Sequence, residues 1–185
     1  MLEFLTRTQI QALADPYYAG RWEYMRVAAG LCRQIPGWGE WQPSDVLEIG
    51  PYRLPLVPGC DTLDNCDHGI PIAYRHDARQ APWPIADGRY RLLVSLQVWE
   101  HFDGYQPEAF AEARRVADWA VLSVPYLWPA SHGDHGAISL DTLALWTGLE
   151  PECYALVSGA GGLDRIVLRY CFRDDEDPGR PKGGP

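Results

Sequence analysis

The run Val46-Leu47-Glu48-Ile49-Gly50-Pro51 constrains this chain more than any other stretch. Branched apolar side chains favour a short buried strand, Gly50 opens a backbone path closed to residues with a Cβ, and Pro51 has no N–H with which to continue a ladder. A strand that stops in a glycine turn is how open α/β sheets make a ligand crevice at the carboxyl ends of their strands. Taken alone, the run reads equally well as a core strand and a tight turn. The rest of the chain decides between the two.

Residues 2–14 read as a short helix closed by Asp15-Pro16, and a second helix runs from near Tyr18 to about Ile35. Its Trp22, Met25, Ala29 and Cys32 or Arg33 recur at helical spacing, until Pro36-Gly37-Trp38-Gly39 breaks it. Tyr17, Tyr18, Arg21 and Trp22 are either the packing face of this helix or part of a lid over a pocket. After the opening strand, Cys60–Asp64 forms a second strand ending in an acid. Only Pro51–Gly59, nine residues of which three are proline, lie between the Gly50 turn and the second strand. A parallel crossover with a full helix takes roughly a dozen or more, so this one is expected to be an extended loop or a single turn.

Ile70–Tyr74 is too short to classify, and His76-Asp77-Ala78 leads into an irregular loop marked by Pro82 and Pro84. Tyr90–Gln97 is apolar on both faces, as a central strand requires. Pro107 opens a helix to about Val116, and Trp119–Val124 is a strand stopped by Pro125. Tyr126–Gly136 is a loop. Ser139 or Asp141 caps a helix to Trp146 or Thr147, which Gly148 ends. Cys153–Ser158 and Arg165–Phe172 flank a glycine loop as an antiparallel hairpin. Residues 173–185 are too polar to bury a core and read as a disordered tail. The whole implies one α/β domain over residues 1–172, with N-terminal helices and a lid within 1–40. Its sheet is mostly parallel with an antiparallel C-terminal hairpin, and its first crossover helix is shortened.

With 185 residues the chain builds one substantial core. A net charge of -9 argues against a sequence-independent grip on nucleic acid or on an anionic membrane, leaving a small molecule as the expected partner. Five scattered cysteines, no signal peptide and no membrane-spanning run point to reduced thiols and a cytoplasmic protein. Cys60, Cys66, His68 and His76 match no common zinc spacing, so no metal is expected. Oligomeric state is not legible.

Gly50-Pro51, Asp64, Asp77 and Gln97–His101 each follow the carboxyl end of a candidate parallel strand, so they should share one crevice. There a glycine admits a ligand to the backbone, an acid accepts from both hydroxyls of a ribose, and a further Asp accepts from an exocyclic amine.

Together VLEIGP (46–51), Asp64, His76-Asp77-Ala78 and LVSLQVWEHF (93–102) resemble the successive motifs of Rossmann-like (class I) S-adenosylmethionine-dependent methyltransferases, in their small-molecule branch. Tyr126–Gly148 resembles the substrate-side loop and helix of some members from biosynthetic clusters. The resemblance spans roughly residues 17 to 172. It implies that Glu48, Gly50 and Pro51 face the methionine part of S-adenosylmethionine, Asp64 the ribose, Asp77 and Ala78 the adenine, and Gln97 the sulfonium end. Glu100 and His101 would fall at the crevice mouth. The chain departs from the family in its single glycine at Gly50-Pro51-Tyr52-Arg53-Leu54 and in the shortened helix after it.

The implied activity is methyl transfer to a small-molecule oxygen, nitrogen or carboxyl acceptor, possible in a biosynthetic pathway. His101, His132 and His135 are candidate bases, since imidazole titrates near neutrality. Tyr17, Tyr18, Arg21, Tyr126 and Trp128 are candidate walls of the acceptor pocket. His132, Asp134 and His135 also have the chemistry of a metal site. Two other readings stand beside the enzyme: an adenosyl-binding domain without turnover, serving as a partner subunit, and a nicotinamide dehydrogenase. The missing glycines count most against the last, whose pyrophosphate must sit on that turn.

Overall fold

Seven strands form one sheet in the computed structural model, which describes residues 2–18, 20–129 and 137–173. They are β1 (Val46–Ile49), β2 (Asp61–Asp64), β3 (Tyr74–Arg75), β4 (Tyr90–Leu96), β5 (Ala117–Pro125), β6 (Cys153–Val157) and β7 (Arg165–Cys171). Across the sheet the order is β3-β2-β1-β4-β5-β7-β6. The first five strands are parallel, with Leu47 opposite Asp61 on one side of β1 and Leu93 on the other. β7 inserts antiparallel between β5 and β6, so the hairpin read from the sequence closes one edge of the sheet.

The sheet is buried on both faces, which is why its central strands read as continuous apolar runs. Leu47, Ile49, Leu93, Ala120, Leu122, Ile166 and Leu168 face one core with helices α3 (Gln106–Val116) and α4 (Leu140–Thr147). Val46, Leu92, Val94, Val121 and Val167 face the other with α1 (Arg7–Leu13) and α2 (Trp22–Arg33).

No helix lies between β1 and β2. Leu56 and Val57 from that helix-free crossover fill the second core instead, beside Phe4, Trp38 and Trp41. The N-terminal segment thus covers the face that a crossover helix would otherwise cover. This use explains why α1 starts at Arg7 and not near residue 2. Thr6 caps it in a reciprocal bond with Gln9, while Leu2, Phe4 and Leu5 are buried and the Leu5 N–H donates to Leu56 O at 2.8 Å. α2 likewise starts at Trp22, because Pro16–Tyr18 form a single 3-10 turn. The cap of α4 is Ser139, and Gly148 ends it in the left-handed conformation.

A buried arginine ties the two ends of the chain. Arg169 on β7 donates from Nη1 to Leu31 O, an end carbonyl of α2 (3.1 Å), and from Nε to Glu152 (2.9 Å). No helix among the described residues is long and apolar enough to cross a membrane.

Candidate active site

The loops after β1, β2, β3 and β4 open on one cavity of about 260 Å³. Gly50, Asp64, Asp77, Ala78 and His101 all line it, together with Asn65, His76, Arg79, Val98 and Phe102. Gly50 has φ +62, and a Cβ placed there would lie 2.8 Å from Val98 Cγ2. Backbone conformation and space therefore both demand glycine, and the loops after β1 and β4 approach closely as a result.

Each acid has a defined local role. Asp64 Oδ1 accepts from the Cys66 N–H (2.8 Å) in a turn that holds its carboxylate at the end of β2. Asp77 is gripped by Arg79, which donates from Nε at 3.0 Å and from Nη2 at 2.8 Å. That guanidinium keeps the Asp77 carboxyl below its usual range, so it stays an acceptor. Ala78 is buried, and its carbonyl accepts from Trp83 Nε1 (2.9 Å), which fixes the loop at the cavity wall.

Glu48 works on the crossover. Its Oε2 accepts from the Leu56 N–H at 2.6 Å and it is also bonded to the Val57 backbone. Without a helix, this segment's N–H groups need such partners. Burial pushes the Glu48 carboxyl up to about 8. Tyr18 does similar service: its hydroxyl accepts from the Arg53 and Leu54 N–H groups (3.2 and 2.8 Å). Glu48 and Tyr18 nonetheless border a second, narrow space of about 20 Å³ with Tyr17, Arg21, Tyr24, Gly50 and Pro51. Tyr17 and Arg21 are joined across its rim, Arg21 Nε donating to Tyr17 O (2.6 Å) and its guanidinium lying over the Tyr17 ring. Of Tyr17, Tyr18, Arg21 and Trp22, Tyr18 is buried, Trp22 packs against the second core, and Tyr17 is exposed.

Beyond the end of β4 the character changes. Gln97, in the left-handed region at φ 61, donates from Nε2 to Ser123 Oγ (3.2 Å) and accepts from Arg165 Nε (3.2 Å). Arg165 lies over the rings of Tyr24 and Trp128. Trp128 Nε1 donates to Asp164 O, and the Tyr126 N–H donates to the same carbonyl (2.9 Å). Tyr126 itself packs against the first core. Glu100 is buried within electrostatic reach of Arg21 and Arg165, and burial pushes it up to about 8 against their pull.

Sequence reasoning missed Arg165 and Tyr24. Arg165 follows the glycine loop at the head of the last strand, and only the antiparallel insertion of β7 brings it to Gln97. Among the predicted bases, His101 is exposed and lines the cavity with Asp77 and Phe102. His132 and His135, and with them Asp134, lie outside the described residues, as does the tail beyond Arg173. Of the weighed zinc candidates, Cys66 and His68 meet, but with Asp64; one ligand atom from each falls within 4.8 Å of the others. A cation held there would draw on the carboxylate at the end of β2.

No protein-family model and no curated protein sequence matches the chain. Solved structures do match it. An S-adenosylmethionine-dependent methyltransferase from Aquifex aeolicus superimposes with a TM-score of 0.58 at 12% identity, covering 89% of this chain and 97% of that one. A possible histamine N-methyltransferase from Thermotoga maritima gives 0.56 at 11% identity, covering 89% and 96%. The [4+2]-cyclase SpnF gives 0.55 at 10% identity, covering 78% and 80%. The chain therefore has the Rossmann-like fold of class I S-adenosylmethionine-dependent methyltransferases.

Proposed function

We propose that the protein transfers a methyl group from S-adenosylmethionine to a small-molecule oxygen, nitrogen or carboxyl acceptor, in the cytoplasm and within a biosynthetic pathway. One observation carries the reading: Gly50, Asp64 and Asp77, from three separate loops, line a single cavity of about 260 Å³, and the turn that begins it leads to no helix. A dinucleotide needs a helix N-terminus for its pyrophosphate, and the crossover after Gly50 offers none. An adenosyl sulfonium has no pyrophosphate to place.

The residues present fit such a ligand. The Gly50 turn admits it to the backbone, where a Cβ would clash. Asp64 takes the ribose hydroxyls, and the loop of Asp77 and Ala78 takes the adenine. Bound there, S-adenosylmethionine would supply a methyl carbon open to in-line attack by an acceptor lone pair, with the thioether as leaving group keeping the carbon–sulfur electrons. The protein positions the acceptor, excludes water and takes a proton where the acceptor has one to lose. Tyr17 and Arg21 close over the methionine end, Gln97 lines the sulfonium, and Trp128 walls the acceptor. Glu100 is the candidate base among the described residues at that end, and His101, His132 and His135 remain candidates by chemistry.

Isothermal titration with S-adenosylhomocysteine and with NAD tests the reading. The first should bind and the second should not, and Asp64→Ala should weaken the first by roughly tenfold or more. Equal binding of NAD, or an Asp64→Ala variant that binds as the parent does, would sink it. The second reading is an adenosyl-binding domain without turnover, acting as a partner subunit. The [4+2]-cyclase neighbour shows that a chain of this fold need not be named for methyl transfer. Binding without methylation of any compound in a broad acceptor panel would favour this second reading.

A further inference from the structure

Two arginines at this site differ from the rest. Arg21 and Arg165 are partly buried, yet among the described residues neither forms a salt bridge. Arg7, Arg33 and Arg91, also outside those salt bridges, are exposed to water. A half-buried cation without a counter-ion is costly, and burial does lower the proton affinity of Arg165. The chain's net charge of -9 makes such a local excess of positive charge unusual. The carboxyl nearest to both in electrostatic terms, Glu100, is buried and forms no salt bridge with either among the described residues.

The two cations rise from opposite sides of the crevice and meet at Tyr24, whose hydroxyl accepts from Arg21 Nη1 at 2.8 Å and whose ring lies under Arg165. Arg21 borders the narrow space beside Gly50 and Pro51, at β1. Arg165 belongs to β7, two strands beyond β4 in the sheet and on the far side from β1. At about 4.8 Å per strand, that places its backbone roughly 14 Å from β1. Its guanidinium is fixed through Nε on Gln97 Oε1 (3.2 Å) and Nη1 on Leu163 O (3.2 Å), with its carbon 5.2 Å from the Tyr24 ring centroid and 5.1 Å from that of Trp128. Among the described residues Nη2 has no partner. A planar fork held over aromatic rings, with an unused edge, suits a planar two-oxygen anion.

We propose that the acceptor is an organic carboxylate, and that Arg165, positioned by Gln97, Tyr24 and Trp128, receives the carboxylate while another atom of the same molecule takes the methyl group. The inference rests on the methyltransferase reading above. It makes Arg165 a specificity residue of the acceptor site and leaves Arg21 to the cofactor's amino-acid end.

The test uses the full chain saturated with S-adenosylhomocysteine and titrated with benzoate and 4-hydroxybenzoate, each against its carboxamide. The carboxylates should bind about tenfold or more tightly than the amides, as a charge-assisted bond implies, and Arg165→Gln should abolish the difference. Arg165→Lys, which keeps the charge but not the fork, should recover part of it, and thermal melts establish that both variants fold. Amides that bind as well as carboxylates, no binding by either, or an unaffected Arg165→Gln would overturn the proposal. Inorganic phosphate binding in place of the carboxylates would overturn it in favour of a phosphorylated acceptor. So would an Arg165→Gln variant that weakens S-adenosylhomocysteine but not methylthioadenosine, which lacks the amino-acid carboxylate; Arg165 would then read the cofactor. Failure of the parent protein to bind S-adenosylhomocysteine is a separate result, and it removes the methyltransferase reading itself.

Discussion

Glu48 and Glu100 hold their protons where an ordinary glutamate has lost them. Burial pushes both up to about 8 from the usual 4.5. Between those values the folded chain binds more protons than the unfolded one, so the contribution to stability is complete below 4.5 and is lost as pH rises through about 8. The urea midpoint should therefore fall from about pH 5 to about pH 9, and Glu48→Gln should flatten part of that fall. A midpoint that rises over this interval would contradict the assignment. Asp77 and Glu112, whose arginine partners hold them below the usual range, act on the acid side of this window. The same chemistry bears on turnover. If Glu100 takes the acceptor's proton, the rate should climb as pH approaches 8, and Glu100→Gln should cost roughly a hundredfold in kcat and remove the climb. A variant with the parent's pH profile would leave the proton to a histidine.

At the scale of elements, the β1–β2 crossover is what sets this chain apart from its motif pattern. It has no helix of its own, so Glu48 and Tyr18 satisfy its N–H groups and the N-terminal segment covers its face of the sheet. Gly50 is the pivot. Gly50→Ala should cost about 1–3 kcal/mol in stability from its positive φ and should abolish S-adenosylhomocysteine binding as Val98 is displaced, which melts and calorimetry measure side by side. At the opposite edge, Arg169 joins β7 to the end of α2. Arg169→Met strands the Leu31 carbonyl and should lower stability by about 1–3 kcal/mol without changing ligand affinity.

For the whole molecule, residues up to Arg173 already form two cores and a cavity at the carboxyl ends of the parallel strands. A chain ending at Arg173 should accordingly melt and bind S-adenosylhomocysteine as the full chain does, within about 0.5 kcal/mol. A larger change would give residues 174–185 a structural role. Arg173 is kept because it pairs with Asp118 at 2.7 Å.

The amino-acid sequence by itself determined the sheet and the crevice. Apolar runs ending in Gly50, Asp64 and Gln97 mark strands and their carboxyl ends, and nine residues with three prolines forbid a crossover helix, because these are local consequences of backbone chemistry. Tertiary structure alone decided what each side chain at the crevice does. Tyr17 and Tyr18 are neighbours of one residue type, yet one is exposed and the other holds the crossover. Glu48 sits within the motif but is turned to Leu56, since the missing helix left N–H groups to satisfy. Arg165 lies 68 residues from Gln97 and meets it only because β7 runs antiparallel beside β5. Pairing across that distance depends on how strands order in space, and no local pattern in the chain encodes it.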